Sequence, residues 1–229
     1  MNTALQISTP SLAARLSSLR GAMQAARELS PIAAEHPQLV AASKTQPADV
    51  LEEAIALGIT DFGENKVQEA QAKWPALKAA HPEVTLHLIG PLQSNKAADA
   101  VALFDVIQTI DREKIASAVA QEIKAQARHV RCLIQVNTGQ EEQKGGIAPA
   151  GLGPLLAHCA QVGLTISGLM CIPPANQNPA PHFALLNQLA KQHALPELSM
   201  GMSDDFADAI RLGATAVRIG TKLFGARQG

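Results

Sequence analysis

A repeated alternation of short apolar segments with amphipathic segments places the strongest constraint on the fold of this chain. The apolar segments predict eight strands, at residues 39–43, 59–62, 84–89, 106–110, 130–136, 164–170, 197–200 and 216–219. Residues with helical spacing follow each of the first seven strands, with one helix predicted over residues 67–78 after the second strand, and the chain ends soon after the eighth. Strands that alternate with helices form parallel βαβ units. Eight such units in 229 residues predict the α/β class and one domain over residues 1–229, a closed (β/α)8 TIM-type barrel.

An extra N-terminal helix is predicted ahead of this alternation. Residues 11–29 carry apolar side chains at helical spacing, at Leu12, Leu16, Leu19, Met23 and Ala26. Because no full helix follows the last strand, we expect this helix to fill the gap that the missing helix leaves in the outer ring.

Charge and cysteine usage exclude several classes of partner. The formal net charge of −1 provides no basic face for nucleic acid. No apolar run reaches membrane-spanning length, and residues 1–10 lack the pattern of a signal peptide. The three cysteines have no paired spacing, which favours free thiols in a reducing compartment and suggests no metal site. We therefore expect a cytoplasmic protein, and we expect it to be a monomer.

A lysine at the end of the first predicted strand is the candidate reactive group. Residues 39–43 are almost entirely apolar, and Lys44 follows them directly. In a parallel barrel, the carboxyl ends of the strands surround the ligand site. An ammonium beside an apolar wall is partly desolvated, which favours the neutral amine that condenses with aldehydes. The alternative for Lys44 is an ordinary solvated lysine.

The loops after the last two predicted strands are typical of a phosphate site in such barrels. Gly201 and Gly220 would let the backbone approach an anion, and Ser203 and Thr221 supply hydroxyl donors. Ser203 can also be the N-cap of a helix predicted to begin at Asp204. The carboxylates at 204 and 205 oppose an anion unless they point away.

Other polar residues fall at or near the same predicted rim. Arg218 precedes the Gly220 turn and is either a surface ion-pair partner or a donor to the ring nitrogen of a ligand. In the second case the ring nitrogen would stay unprotonated, because arginine keeps its proton. The remaining candidates are better interpreted as structural hydrogen bonders; they are Asn65, His87, Asn95, Asp111, Asn137 and Lys144.

Several long motifs together carry a resemblance to a known family. They are AASKTQP at 41–47, FGENKVQE at 62–69, HLIGPLQSNK at 87–96, LSMGMSDD at 198–205 and VRIGT at 217–221. The chain closely resembles the pyridoxal phosphate homeostasis proteins, a family that binds pyridoxal 5′-phosphate (PLP). The likeness covers residues 39–227, nearly the whole chain.

This resemblance implies a barrel similar to the N-terminal domain of alanine racemase. It also implies that Lys44 forms an aldimine with PLP and that Ser203, Gly220 and Thr221 hold the phosphate. Arg218 would face the pyridine nitrogen, and Asn65 and Met202 would lie beside the cofactor. Lys144 matches a lysine near the site in this family.

Two functions from different classes follow from a PLP site, and the residues favour the first. A carrier would bind PLP and deliver it to apo-enzymes that need it, without substantial amino-acid turnover. The alternative is a PLP-dependent racemase or related enzyme. A two-base racemase related to alanine racemase needs a lysine and a tyrosine as its bases, and the sequence contains no tyrosine. Arg218 would leave the ring a poorer electron sink, and we expect no lid domain to exclude water. A Schiff-base aldolase is a weaker third possibility, because Lys44 has no evident proton shuttle in sequence.

Overall fold

Eight parallel strands close into a barrel in the computed structural model, which describes residues 10–225. Each strand pairs with the next along the chain, and β1 pairs with β8, so that Leu39 lies opposite Val217. The predicted (β/α)8 fold is therefore confirmed. The strands are β1 (Gln38–Ala42), β2 (Asp61–Glu64), β3 (Thr85–Leu88), β4 (Val106–Ile110), β5 (Arg131–Val136), β6 (Ile166–Cys171), β7 (Glu197–Ser199) and β8 (Ala216–Ile219).

Helices surround this barrel, and their apolar faces pack on the outer side of the strands to form the core. None of the helices within residues 10–225 has the length and hydrophobicity needed to cross a bilayer. The helices are α1 (Leu12–Glu28), α2 (Ala48–Ala56), α3 (Val67–Gln71), α4 (Trp74–Ala80), α5 (Ala97–Leu103), α6 (Glu113–Ala125), α7 (Leu152–Gln161), α8 (Ala180–Gln192), α9 (Phe206–Arg211) and α10 (Thr221–Phe224).

The predicted N-terminal helix is present as α1, and it packs against α9 and α10. Its five apolar residues at helical spacing are all buried. Each large apolar side chain buried in this way contributes about 1.5–3 kcal/mol. The Arg15 guanidinium also donates to the Leu223 carbonyl oxygen over 2.6 Å. Since α10 is a single turn, α1 completes the outer ring beside β8, as the sequence suggested.

The second strand begins two residues later than predicted because of the turn that ends α2. Gly58 has φ +80°, and the backbone N–H of Ile59 donates to the Ala54 carbonyl oxygen over 3.1 Å. This is the hydrogen bond of a Schellman cap, in which the residue after the glycine packs back on the helix. Ile59 is 3% exposed, so its hydrophobicity serves the cap and not the strand.

The helix predicted over residues 67–78 is also divided in the structure, into α3 and α4. Pro75 lies in the first turn of α4. Proline has no N–H to donate to the carbonyl of Gln71 one turn earlier, and its ring crowds that turn. The division brings Lys73 and Trp74 to the start of α4, from which both reach the end of β2.

Candidate functional site

Two adjoining cavities lie at the carboxyl ends of the strands, and Lys44 lines both. The larger, of about 440 Å³, has an apolar wall of Ile89, Pro91 and Ile172. The smaller, of about 250 Å³, lies over the turn that follows β8. The volume of the larger cavity is typical of a small-molecule site.

All seven residues predicted from the sequence to bind the cofactor line these cavities. Lys44, Met202 and Arg218 border both cavities, and Asn65 borders the larger. The turn side of the smaller cavity is formed by Ser203, Gly220 and Thr221. The structure thus brings together residues from the ends of β1, β2, β7 and β8.

Lys44 is held on a short turn whose backbone is strained. The Gln46 N–H donates to the Ser43 carbonyl oxygen over 3.0 Å, and Thr45 within this turn has φ +66°. A β-branched residue in the left-handed region costs about 1–3 kcal/mol and persists only where surrounding contacts enforce it. Strain of this kind is common at functional sites.

A buried ion pair fixes this turn from below. Lys73 Nζ lies 2.6 Å from Glu64 Oε1 and also donates to the carbonyl oxygens of Ser43 and Gln46, over 3.1 and 3.4 Å. The same Glu64 oxygen accepts from the Ser43 hydroxyl over 2.7 Å and from Trp74 Nε1 over 2.9 Å. Sequence analysis missed this cluster because its members come from three separate elements.

The amine of Lys44 differs from those of the lysines around it. Lys73 is paired with Glu64, and Lys144 lies 2.8 Å from Glu141. Within residues 10–225, no carboxylate lies within 4.0 Å of Lys44 Nζ. Lys44 is also half-buried. An amine without a counter-ion in a partly apolar cavity is available to react with a ligand.

Arg218 is not the surface ion-pair partner that its residue type suggests, since it is only 4% exposed. Its two terminal nitrogens donate to the Ser199 hydroxyl over 2.7 Å and to the Cys171 carbonyl oxygen over 2.8 Å. Burial lowers the pKa of the guanidinium, and the nearby Cys171 and Asp205 partly offset this effect. Arginine nevertheless stays charged, so it brings a fixed positive charge to the wall of both cavities.

Ser203 does not cap α9, which was the alternative role that the sequence left open for it. Helix α9 begins at Phe206, and Asp205 occupies its N-cap position. The three residues before the helix form a turn, in which Asp205 Oδ1 accepts from the Met202 N–H over 2.5 Å. The Ser203 hydroxyl instead accepts from the Lys222 N–H over 3.4 Å, across the loop after β8. The two loops expected to hold an anion are therefore joined to each other.

The two aspartates beside this turn occupy different positions. The Asp205 side chain binds its own turn through the Met202 N–H, whereas Asp204 is exposed at the edge of the smaller cavity. Gly201, with φ +92°, is required by packing, since a Cβ there would lie 2.5 Å from Ala209 Cβ. Its conformation therefore does not by itself indicate an anion site.

Gly90 has a close contact at the site that sequence analysis did not identify. A Cβ at Gly90 would lie 2.1 Å from the backbone oxygen of Asn65. The absence of a side chain at this position lets the end of β2 lie against the end of β3, which places Asn65 at the cavity wall.

Three of the other polar candidates, Asn137, His87 and Asp111, form hydrogen bonds within the protein. Asn137 bonds the backbone of Glu141 through both of its side-chain groups and thereby shapes the loop that carries Lys144. His87 is 1% exposed and bonds Asp61 inside the barrel. Asn95 lies in a short 3₁₀ turn, and Asp111 accepts from Arg112. Within residues 10–225, no group of three or more His, Cys, Asp or Glu residues could hold a metal ion.

A larger cavity, of about 730 Å³, lies at the opposite end of the barrel. It is bordered by residues at the amino ends of strands, among them Gln38, Asp61 and Arg131. In barrels of this kind the amino ends serve stability, and the chemistry is at the carboxyl ends. The convergence of Lys44, Arg218 and the Ser203 and Gly220 loops also assigns the candidate site to the carboxyl ends.

Comparison with known proteins agrees with this geometry. Residues 16–228 match the family described as "Alanine racemase, N-terminal domain". The pyridoxal phosphate homeostasis protein of Vibrio cholerae is 42% identical over 201 residues, which cover 83% of this chain and 85% of that protein. Its namesake from Escherichia coli is 38% identical over 226 residues, which cover 94% and 97%.

Solved structures show the same relationship. PipY of Synechococcus elongatus, in a structure with PLP bound, superposes with a TM-score of 0.80 at 38% identity, covering 94% of this chain and 100% of that one. Alanine racemase of Clostridium difficile shares only the fold, with a TM-score of 0.67 at 12% identity over 93% of this chain and 58% of that one. The chain belongs to the family of pyridoxal phosphate homeostasis proteins, within the larger group that shares the N-terminal domain of alanine racemase.

Proposed function

We propose that this protein binds PLP through Lys44 and acts as a carrier that buffers PLP and delivers it to apo-enzymes. The observation that carries the proposal is the convergence of an amine without a counter-ion, a buried guanidinium and two joined loops on one pair of cavities. PLP supplies an aldehyde for the amine, an acceptor ring nitrogen and an anionic phosphate. Each has a chemical counterpart in this set of residues.

The position of each residue supports a separate role in holding PLP. Lys44, on its strained turn, would form a Schiff base with the aldehyde. The smaller cavity, bordered by Ser203, Gly220 and Thr221, would hold the phosphate with hydroxyl and backbone donors. Arg218 borders both cavities and would face the ring nitrogen between these two ends. Asn65 and Met202 would contact the ring.

Three observations favour a carrier over an amino-acid racemase. The sequence has no tyrosine to act as a second base. Arg218 is buried, charged and fixed by two hydrogen bonds, so it would keep the ring nitrogen unprotonated and limit carbanion chemistry. The alignments with this chain cover most of the length of two relatives, and both relatives are named as homeostasis proteins. A monomeric state, a cytoplasmic location and one PLP-binding unit over residues 1–229 remain predictions.

The experiment that tests PLP binding is the absorbance spectrum of the purified protein after borohydride reduction, with identification of the modified residue by mass spectrometry. We expect an adduct on Lys44, loss of the adduct in Lys44→Ala and retention in Lys66→Ala, which removes an exposed lysine outside both cavities. An adduct that persists in Lys44→Ala would assign the anchor to another lysine and refute the proposal.

Delivery and turnover are tested separately. The PLP-loaded protein should restore activity to an apo-enzyme even when free PLP is trapped, and it should convert L-alanine to D-alanine at no useful rate. Failure to transfer PLP would remove the delivery role, and rapid racemisation would favour the enzyme alternative.

A further inference from the structure

A continuous chain of hydrogen bonds crosses the inside of the barrel and ends at Arg218. Arg218 Nη1 lies 2.7 Å from Ser199 Oγ, and Ser199 Oγ lies 2.6 Å from Gln108 Oε1. Gln108 Nε2 lies 2.9 Å from His87 Nδ1, and His87 Nε2 lies 3.0 Å from Asp61 Oδ1. Ser199 is on β7 and Gln108 on β4, strands that are not neighbours, so their bond spans the interior.

Each bond in this chain has a defined direction. Arginine only donates, so the Ser199 hydroxyl accepts from Arg218 and donates its own hydrogen to Gln108 Oε1. The amide nitrogen of Gln108 then donates to His87 Nδ1. His87 must therefore be the neutral tautomer with its hydrogen on Nε2, which it donates to the Asp61 carboxylate.

The far end of the hydrogen-bond chain is the Asp61 carboxylate, which accepts several hydrogen bonds. Burial alone raises the pKa of Asp61, but the hydrogen bonds from His87, Thr60 and Gln38 outweigh this effect, and the net pKa is below its usual value. Thr60 and Gln38 both donate to Asp61 over 2.8 Å. The chain thus runs from a buried cation at the carboxyl ends of the strands to an anion at their amino ends.

We propose that Asp61, His87 and Gln108 are positioning residues that act through Ser199 to hold the Arg218 guanidinium against the ring of the bound ligand. The proposal rests on the proposed PLP site, because Arg218 borders both of its cavities. None of the three positioning residues borders those cavities, and all three side chains are buried.

The chain of hydrogen bonds from Asp61 to Arg218 is called the relay below. Its physical reason is the free-energy cost of burying Arg218 without a carboxylate partner. Within residues 10–225, no carboxylate lies within 4.0 Å of its guanidinium. The relay gives the cation an oriented acceptor, since the Ser199 hydrogen is committed to Gln108 and its lone pairs face Arg218. Replacing Gln108 with an apolar residue would free the Ser199 hydroxyl to rotate and would leave His87 Nδ1 without its donor.

The first test does not need PLP. Nitrogen-15 NMR of the ligand-free protein should show the His87 ring as the neutral Nε2–H tautomer at neutral pH. A neutral Nδ1–H tautomer would overturn the relay whether or not the protein binds PLP, so this outcome is distinct from a failure of the proposed function.

The second test uses the spectrum and affinity of bound PLP in a double-mutant cycle. Gln108→Met should shift the absorbance maximum in the same direction as Arg218→Met and weaken PLP binding by about five- to tenfold, the loss expected for one hydrogen bond. In the Arg218→Met background, Gln108→Met should cause no further change, because its effect passes through the guanidinium. Cys132→Ala, a buried thiol on β5 outside the relay, should leave both readouts unchanged.

Two outcomes would overturn the proposal in this second test. One is an unchanged spectrum and affinity in folded Gln108→Met protein. The other is an equal shift with and without the Arg218 guanidinium, which would indicate a general packing effect. If Gln108→Met does not fold, His87→Gln gives the same readouts, since it keeps a donor for Asp61 but moves the acceptor away from Gln108.

Discussion

Removal of Lys73 should destabilise the protein strongly, because its partner Glu64 is 0% exposed. The other Glu64 oxygen, Oε2, is buried without a hydrogen-bond partner among the described residues, so the carboxylate depends on Oε1 and its ion pair at 2.6 Å. Loss of one partner from a buried pair costs about 3–5 kcal/mol. Since the Lys73 side chain is 15% exposed, we expect Lys73→Met to lower the free energy of unfolding by about 3 kcal/mol, the lower end of that range.

Glu64→Gln should be milder, because the amide oxygen still accepts from Ser43 and Trp74 and Lys73 keeps two carbonyl acceptors. We expect a loss of about 1–2 kcal/mol from the weakened hydrogen bonds. The double variant should be destabilised by less than the sum of the two, with a coupling of about 1–3 kcal/mol. Both single variants should also weaken PLP binding, since Lys73 fixes the turn that presents Lys44.

The assay is urea unfolding followed by the fluorescence of Trp74, the single tryptophan of the chain, which is fully buried beside Glu64. Lys66→Met is the matched control, because the Lys66–Glu69 pair has nearly the same N–O distance, 2.7 Å, but is 68% and 43% exposed. It should change stability by less than about 0.5 kcal/mol. Equal effects of Lys73→Met and Lys66→Met, or strict additivity in the double variant, would refute the reasoning.

Three further predictions follow from single residues. The depressed pKa of Asp61 contributes stability that is present above about pH 3.8, the usual pKa, and is lost as the pH falls further. The Asp61→Asn protein should therefore lose less free energy of unfolding below that pH than the protein with the half-exposed control substitution Asp208→Asn. Burial raises the pKa of the Cys132 and Cys171 thiols to about 12 and that of Cys159 to about 11. A thiol reagent at pH 8 should therefore label these three buried thiols only at the rate of unfolding. Fast labelling of the native protein would contradict this prediction. Gly90→Ala should lower the free energy of unfolding by about 2 kcal/mol or more and weaken PLP binding, because its Cβ would clash with the Asn65 backbone. The control is Gly21→Ala on the exposed face of α1, where a Cβ would meet no atom within 4 Å, and it should raise stability by about 0.5–1 kcal/mol. A stable Gly90→Ala protein that binds PLP fully would exclude this role for the clash.

The local errors in the sequence prediction have specific physical causes. The start of β2 was wrong because Ile59 is hydrophobic for the sake of a helix cap, which hydrophobic pattern alone does not distinguish from a strand. The division between α3 and α4 was signalled by Pro75 but outweighed by the apolar spacing around it. The sequence left a capping role open for Ser203, but its hydroxyl has a partner at Lys222 in the first turn of α10.

The sequence by itself determined the barrel, and the resemblance of its motifs to a known family supplied the seven residues around the cavities. Strand and helix periodicity are properties of neighbouring residues, and the ends of parallel strands converge in any closed barrel of this class. Only the tertiary structure decided how the reactive groups are held: the Lys73–Glu64 pair beneath the Lys44 turn, and the chain of bonds from Asp61 to Arg218. These contacts join residues up to 91 positions apart in the sequence. Their partners are chosen by the geometry of the closed barrel, which no local pattern encodes.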